Sequence, residues 1–179
     1  MKKILLTSLL SLFILNAYSQ IDIDKVEEDG SRIITTKSQY FNGNEKVALA
    51  CLIDPNGNNT YVLLLTIDKM EISKGRKLLL KFKDDSIMEL NNRKEIGPAD
   101  YKYYVVLGST IYFVFPEYPL TEEEVIKITK GEVVKIRLEN NKEHIDLKVK
   151  NNKFSRKIKE CHENIISEKN RKNGIYDGF

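Results

Sequence analysis

The chain has 179 residues, of which 41% are hydrophobic and 31% are charged, and it contains only four prolines and nine glycines. This composition is typical of a folded globular domain and excludes a disordered or low-complexity chain. The formal net charge of +3 is small for the length of the chain, so charge alone does not indicate a protein that binds nucleic acid.

The first predicted element is a secretory signal peptide over residues 1–19. Two lysines open it, an almost unbroken apolar run covers residues 4–15, and Ala17 and Ser19 supply the small residues of a cleavage site before Gln20. The run is shorter than the roughly 20 residues that a membrane-spanning helix needs. No later run is as apolar, and no cysteine follows it as a lipid anchor. We therefore expect a periplasmic or secreted protein with no transmembrane segment after cleavage.

Cleavage would remove two of the 29 basic residues and none of the 26 acidic ones, which leaves a net charge close to zero. Nucleic acid is therefore not a predicted partner. The remaining length suits one well-buried domain and is short for two. We predict a flexible acidic leader over residues 20–30, a single β-rich domain over 31–172 and a tail over 173–179.

Most of the domain has the pattern of strands joined by short turns. Runs rich in β-branched and aromatic residues alternate with turns that contain Asn, Asp and Gly. The turns are too short for parallel crossovers, so the sheet should be antiparallel. The predicted strands are residues 32–41, 46–54, 61–68, 76–83, 86–90, 101–107, 110–115, 133–139 and 144–150.

Two helices are predicted among these strands. Thr121 and Glu124 have the spacing of a capping box, and Lys130-Gly131 marks the end of a short helix. Residues 153–172 form a longer amphipathic helix with one apolar stripe. The predicted fold class is α+β: a mainly antiparallel bent sheet, barrel or sandwich, with the short helix and the C-terminal amphipathic helix packed on it.

Cys51 and Cys161 are the only cysteines. An even number of cysteines in an exported chain is compatible with a disulfide between them. Each also lies on an apolar face of its predicted element, which suits a small buried hydrophobic residue equally well. The sequence leaves both interpretations open.

No motif predicts a catalytic residue, a metal site or a cofactor. His144 and His162 are the only histidines, and the chain has no nucleophile elbow and no zinc-ligand spacing. The loop that starts at Asp54 begins like a calcium loop, but Asn59 and Leu65 occupy the positions that require Gly and Glu. We therefore predict that this loop is a turn.

A cluster of tyrosines is the candidate recognition surface. Tyrosine is a frequent contact residue because it is amphipathic and costs little entropy to order, although it also packs well between neighbouring strands. The basic residues of the C-terminal helix are instead expected to be solvated. The candidate binding residues are Tyr101, Tyr103, Tyr104, Tyr112 and Tyr118.

Residues 74–90, together with 118–125 and 133–139, carry a resemblance. The run KGRKLLLKFKDDSIMEL, followed by YPLTEEEV and VVKIRLE, resembles small secreted proteins common in Bacteroides-type bacteria. The similarity covers residues 74–159, and its motifs are structural. It implies an exported protein but assigns no functional residue.

The function predicted from these observations is that of an exported, non-enzymatic binding or protein-interaction domain, whose partner is an unknown protein or envelope component. One alternative is a small hydrolase that uses His144 or His162. Another is a structural or accessory component of the envelope that engages its partner through a sheet edge or through the tyrosine hairpin.

Overall fold

A computed structural model describes the backbone of residues 20–68, 72–95, 102–106, 109–140 and 143–176, and the side chains of 20–67, 72–95, 115–140 and 143–171. These residues form two antiparallel sheets and two helices. The strands are β1 (Ile21–Val26), β2 (Arg32–Thr36), β3 (Gln39–Asn42), β4 (Glu45–Ile53), β5 (Asn59–Asp68), β6 (Lys77–Phe82), β7 (Ile87–Asn91), β8 (Lys102–Val106), β9 (Ser109–Val114), β10 (Glu117–Leu120), β11 (Val133–Glu139) and β12 (His144–Lys148); the helices are α1 (Glu122–Lys130) and α2 (Lys153–Tyr176).

The first sheet has the order β1-β2-β4-β5-β9-β8, with β3 also paired to β4 and β10 to β5. Its centre is the hairpin of β4 and β5, which pair from Lys46 opposite Thr66 to Ile53 opposite Asn59. The connecting loop is a turn, as predicted, because the Asp54 carboxylate accepts hydrogen bonds from backbone amides within the loop. Strand β5 pairs with β4 on one side and with β9 and β10 on the other, and Val62, Leu63, Leu65 and Ile67 in it are buried.

The second sheet has the order β12-β11-β6-β7. Alternation along β6 buries Leu78, Leu80 and Phe82, whereas the residues between them are only half-buried. The second sheet therefore contributes one apolar face to the core and leaves the opposite face for solvent.

The C-terminal helix α2 covers the first sheet. Its stripe of Phe154, Ile158, Cys161 and Ile165 is fully buried, and the Phe154 ring meets the Phe41 ring edge-on at 5.1 Å. The predicted α+β fold, with this helix packed on an antiparallel sheet, is confirmed. In the part of the chain that the structure describes, neither helix has the length and apolar character that crossing a membrane requires.

The short helix α1 starts at the predicted capping box. The Thr121 hydroxyl accepts from the Glu124 amide at 3.2 Å, and the Glu124 carboxylate accepts from the Thr121 amide at 2.8 Å. The residue after the helix, Gly131, is a glycine because a Cβ at this position would lie 2.7 Å from the Phe82 ring. This close approach places the end of α1 against β6.

The predicted flexible leader is corrected over residues 21–26, which form the edge strand β1 against β2. Arg32 in β2 donates two hydrogen bonds to the Asp24 carboxylate, at 2.9 and 3.0 Å, and a third to the Glu168 carbonyl of α2 at 3.3 Å. Both charged side chains of the ion pair are almost buried. The pairing depends on a residue outside the segment, so the segment's own sequence does not show it.

Three further boundaries differ from the prediction. Residues 32–41 form two strands, β2 and β3, which pair with different halves of β4. Strand β10 was not predicted because Pro116 and Pro119 flank and interrupt it, but proline is tolerated where a strand has a free edge. Helix α2 continues to Tyr176, so the predicted tail over 173–179 begins within the helix.

Candidate functional site

The predicted tyrosine surface is only partly within the described residues. Tyr103 and Tyr112 are register partners in the β8–β9 hairpin, but Tyr101 and the side chains of Tyr103, Tyr104 and Tyr112 lie outside the described residues. The prediction is wrong for Tyr118, which is fully buried in β10. Its phenol oxygen has no hydrogen-bond partner among the described residues, and burial raises the pKa of Tyr118.

Both cysteines are free and buried beneath α2. The Cys51 sulfur lies 3.9 Å from the Asn59 side-chain oxygen, and the Cys161 sulfur accepts from the Gln39 amide at 3.9 Å. Burial raises the pKa of both thiols, so they stay protonated at neutral pH. Of the two interpretations, the structure favours buried thiols without the disulfide.

The two histidines lie in different parts of the fold. His144 is exposed at the start of β12, opposite Glu139, whereas His162 on α2 packs edge-on against Tyr61 at 5.5 Å. Burial lowers the pKa of His162, and its Nε2 atom has no hydrogen-bond partner among the described residues. The hydrolase alternative would need an activated nucleophile beside one of these rings, and burial raises the pKa of both thiols, which is the opposite of activation.

The described residues contain no group of three His, Cys, Asp or Glu side chains able to hold a metal ion. A depression of about 580 Å³ lies beside the start of α1 and is lined by Glu122, Glu123 and Glu124. These glutamates are accounted for by the capping box and by the positive end of the helix dipole.

The strongest candidate surface is the outer face of the second sheet. Three lysines lie side by side on neighbouring strands of this face. Lys135 of β11 is the register partner of Lys81 of β6 on one side and of Lys148 of β12 on the other. Ile87 of β7 extends the same row beyond Lys81. We call Lys81, Lys135 and Lys148 the lysine row.

This arrangement is electrostatically unfavourable in the isolated domain. Neighbouring strands are about 4.8 Å apart, and like charges directly opposite each other on one face of a sheet destabilise the pairing. The lysine row contains two such pairs in succession. An anion placed over the row would relieve this repulsion.

Internal carboxylates neutralise the row only in part. Asp146 accepts from Lys135 at 2.6 Å and from Arg137 at 2.7 and 2.9 Å, so one carboxylate is shared by two cations. These contacts hold the pKa of Asp146 well below its usual value, with the Arg137 hydrogen bonds as the main cause. Lys81 contacts Asp85 at 2.7 Å, but that carboxylate is 82% exposed.

Two neighbouring depressions lie on this face. They measure about 160 and 340 Å³, and both are lined by Leu79 and Arg137. Ile87 in the smaller depression is 60% exposed, which is high for a large aliphatic side chain. The smaller depression is lined by Leu79, Lys81, Ile87, Lys135 and Arg137, and the larger one by Arg76, Leu79, Arg137, Glu139, Asn140, Glu143 and His144.

The sequence contained part of this site. The alternation along β6 and β11 places Lys77, Leu79 and Lys81 on one face, and Lys135 and Arg137 on one face. Alternation does not show which strands are neighbours or in what register, so it could not bring the lysines together. The chain matches no family model, and no curated protein or solved structure is detectably similar to it. The resemblance to small secreted proteins therefore stays a prediction.

Proposed function

We propose that the protein is an exported, non-enzymatic binding domain, and that the outer face of its second sheet binds an anionic partner, a protein or an envelope component. The observation that supports this proposal is the lysine row, with Lys81, Lys135 and Lys148 in register on three strands. Repulsion within the lysine row destabilises the free domain, and an anionic partner bound over the row would offset that cost.

Two further observations support the other parts of the proposal. The pattern of residues 1–19 favours export, and an exported form would begin at Gln20, which N-terminal sequencing of secreted material checks. The raised pKa values of the two buried thiols and the separation of the two histidines give no support to the hydrolase alternative.

Anion binding is tested with a fluorescently labelled oligoglutamate and the mature chain, residues 20–179. We expect the double variant Lys135→Gln/Lys148→Gln to bind about tenfold more weakly than the wild type, because each charge near an anion contributes up to about 1 kcal/mol. The matched control is Lys130→Gln/Lys159→Gln, which makes the same change in net charge on the two helices. Binding should weaken with added salt in the wild type and the control.

Equal weakening in the two double variants would show that net charge, rather than the lysine row, attracts the probe. Failure of the wild type to bind oligoglutamate, inorganic polyphosphate and anionic vesicles alike would also overturn the proposal. Circular dichroism of each variant confirms that the comparison is made between folded proteins.

A further inference from the structure

Resting on the proposed function, we infer that the anionic partner is an extended acidic peptide segment that carries an aliphatic side chain at one end of a run of carboxylates. The carboxylates bind the lysine row, and the aliphatic side chain enters the depression between Leu79 and Ile87. This names the chemistry of the partner, which the lysine row alone does not.

The lysine row ends in an exposed apolar surface on β7 and β6. Ile87 is 60% exposed and is the register partner of Lys81, while Leu79 lies in the next position along β6 on the same face. Removing this apolar surface from water is favourable, and a partner made only of phosphates has no atoms with which to do so. The depression of about 160 Å³ is similar to a cavity of roughly 150 Å³ that accommodates a benzene molecule, so it has room for one aliphatic side chain.

The charge around the lysine row is of mixed sign. Acidic side chains lie among the cations of this face: Asp146 is the register partner of Arg137, and Glu89 is the register partner of Leu79. A uniformly anionic surface, such as a membrane or a nucleic acid backbone, would press negative charge against these carboxylates as well. A peptide with separate carboxylates can contact the lysines and avoid the acids.

The distance between neighbouring strands also suits an extended peptide that crosses them. Alternate side chains of an extended peptide point the same way and are about 7 Å apart, whereas strands of the sheet are about 4.8 Å apart. A peptide that crosses the strands with an aliphatic side chain over Ile87 therefore places its next same-side residue between Lys81 and Lys135. A glutamate at that position reaches either ammonium group.

The test uses two synthetic peptides of equal charge, with the cores Val-Ser-Glu-Ser-Glu and Ser-Ser-Glu-Ser-Glu between identical flanks. We expect the mature wild-type chain to bind the valine peptide about fivefold more tightly, as partial burial of one small aliphatic group predicts. The variant Ile87→Thr keeps a β-branched residue in the strand. It should lose this preference between the two peptides.

Each outcome is distinct from failure of the proposed function. Equal affinity for the two peptides, with lysine-dependent oligoglutamate binding intact, would overturn the peptide inference and leave anion binding in place. Tighter binding to phosphatidylglycerol vesicles than to either peptide, lost in Lys135→Gln/Lys148→Gln, would overturn it in favour of a membrane surface. Absence of any lysine-dependent binding would overturn the proposed function itself.

Discussion

The substitution Asn92→Ala should be among the most damaging outside the apolar core. Asn92 follows β7, is 1% exposed, and joins three segments through its amide. The amide nitrogen donates to the carbonyl oxygens of Lys94 at 2.8 Å, Ser73 at 3.1 Å and Ile72 at 3.5 Å. The amide oxygen accepts from the backbone nitrogens of Glu117 at 3.0 Å and Lys94 at 3.2 Å. One side chain therefore ties the end of β7 to the start of β10 and to the chain before β6.

Alanine at this position would leave these backbone groups without their partner. A buried polar group without a hydrogen bond costs about 1–3 kcal/mol, and the longest of the five contacts is weak. Because water can reach some of the freed groups, we expect the free energy of unfolding to fall by about 3–4 kcal/mol. Urea denaturation followed by circular dichroism measures this loss.

The matched control is Asn91→Ala, because Asn91 is the exposed neighbour in β7 and should change stability by less than about 0.5 kcal/mol. The variant Asn92→Asp keeps the acceptor but turns a carboxylate toward carbonyl oxygens, so it should be at least as unstable as Asn92→Ala. A loss below about 1 kcal/mol in Asn92→Ala, or wild-type stability in Asn92→Asp, would refute the role assigned to this amide.

Three further predictions concern the edges of the core. The substitution Arg32→Ala removes the nearly buried partner of the Asp24 carboxylate in β1 and should lower the free energy of unfolding by about 2 kcal/mol. Amide hydrogen exchange should become faster in β1 alone, and unchanged exchange would contradict the role of the ion pair. Burial lowers the pKa of His162 in the folded state, so the unfolded chain takes up the proton first as the pH falls. The contribution of His162 to the free energy of unfolding is therefore complete above the unfolded-state pKa of about 6.5 and is lost as the pH falls below that value. His162→Leu should flatten this pH dependence in urea titrations, and an identical slope would count against it. Gly131→Ala forces a Cβ to within 2.7 Å of the Phe82 ring and should cost about 1–3 kcal/mol in thermal unfolding, whereas Lys130→Ala should be nearly neutral.

Local chemistry made much of the fold predictable. The capping box at Thr121 and Glu124 appears in the structure with both of its hydrogen bonds, because it depends only on residues three positions apart. The alternation along β6 and the apolar stripe of α2 also depend on neighbours in sequence. These features gave the fold class and the packing of the C-terminal helix.

Features that depend on distant partners could not be predicted in this way. Strand β1 is held by Arg32 of β2, whose side chain also donates to the Glu168 carbonyl of α2, so the acidic sequence of β1 was misleading. Tyr118 was assigned to a surface because it is close in sequence to the four other tyrosines of the predicted hairpin. In the structure it pairs opposite Leu63 in β5 and is buried with it.

The candidate site illustrates the same limit. Lys81 and Lys135 were visible as outward positions on their strands, but the lysine row exists only through the register of β6, β11 and β12. Register follows from the fit of whole hydrophobic faces. The binding surface therefore emerged only with the three-dimensional arrangement.

The most direct test of the account measures two properties of one variant, Lys148→Glu, in the mature chain. The substitution replaces a like-charge pair with an opposite-charge pair across from Lys135, so the free energy of unfolding should rise by about 0.5–1 kcal/mol. Binding of labelled oligoglutamate should weaken at the same time. Unchanged or lower stability together with undiminished binding would contradict the claim that the lysine row is kept at a cost to stability because it binds an anion.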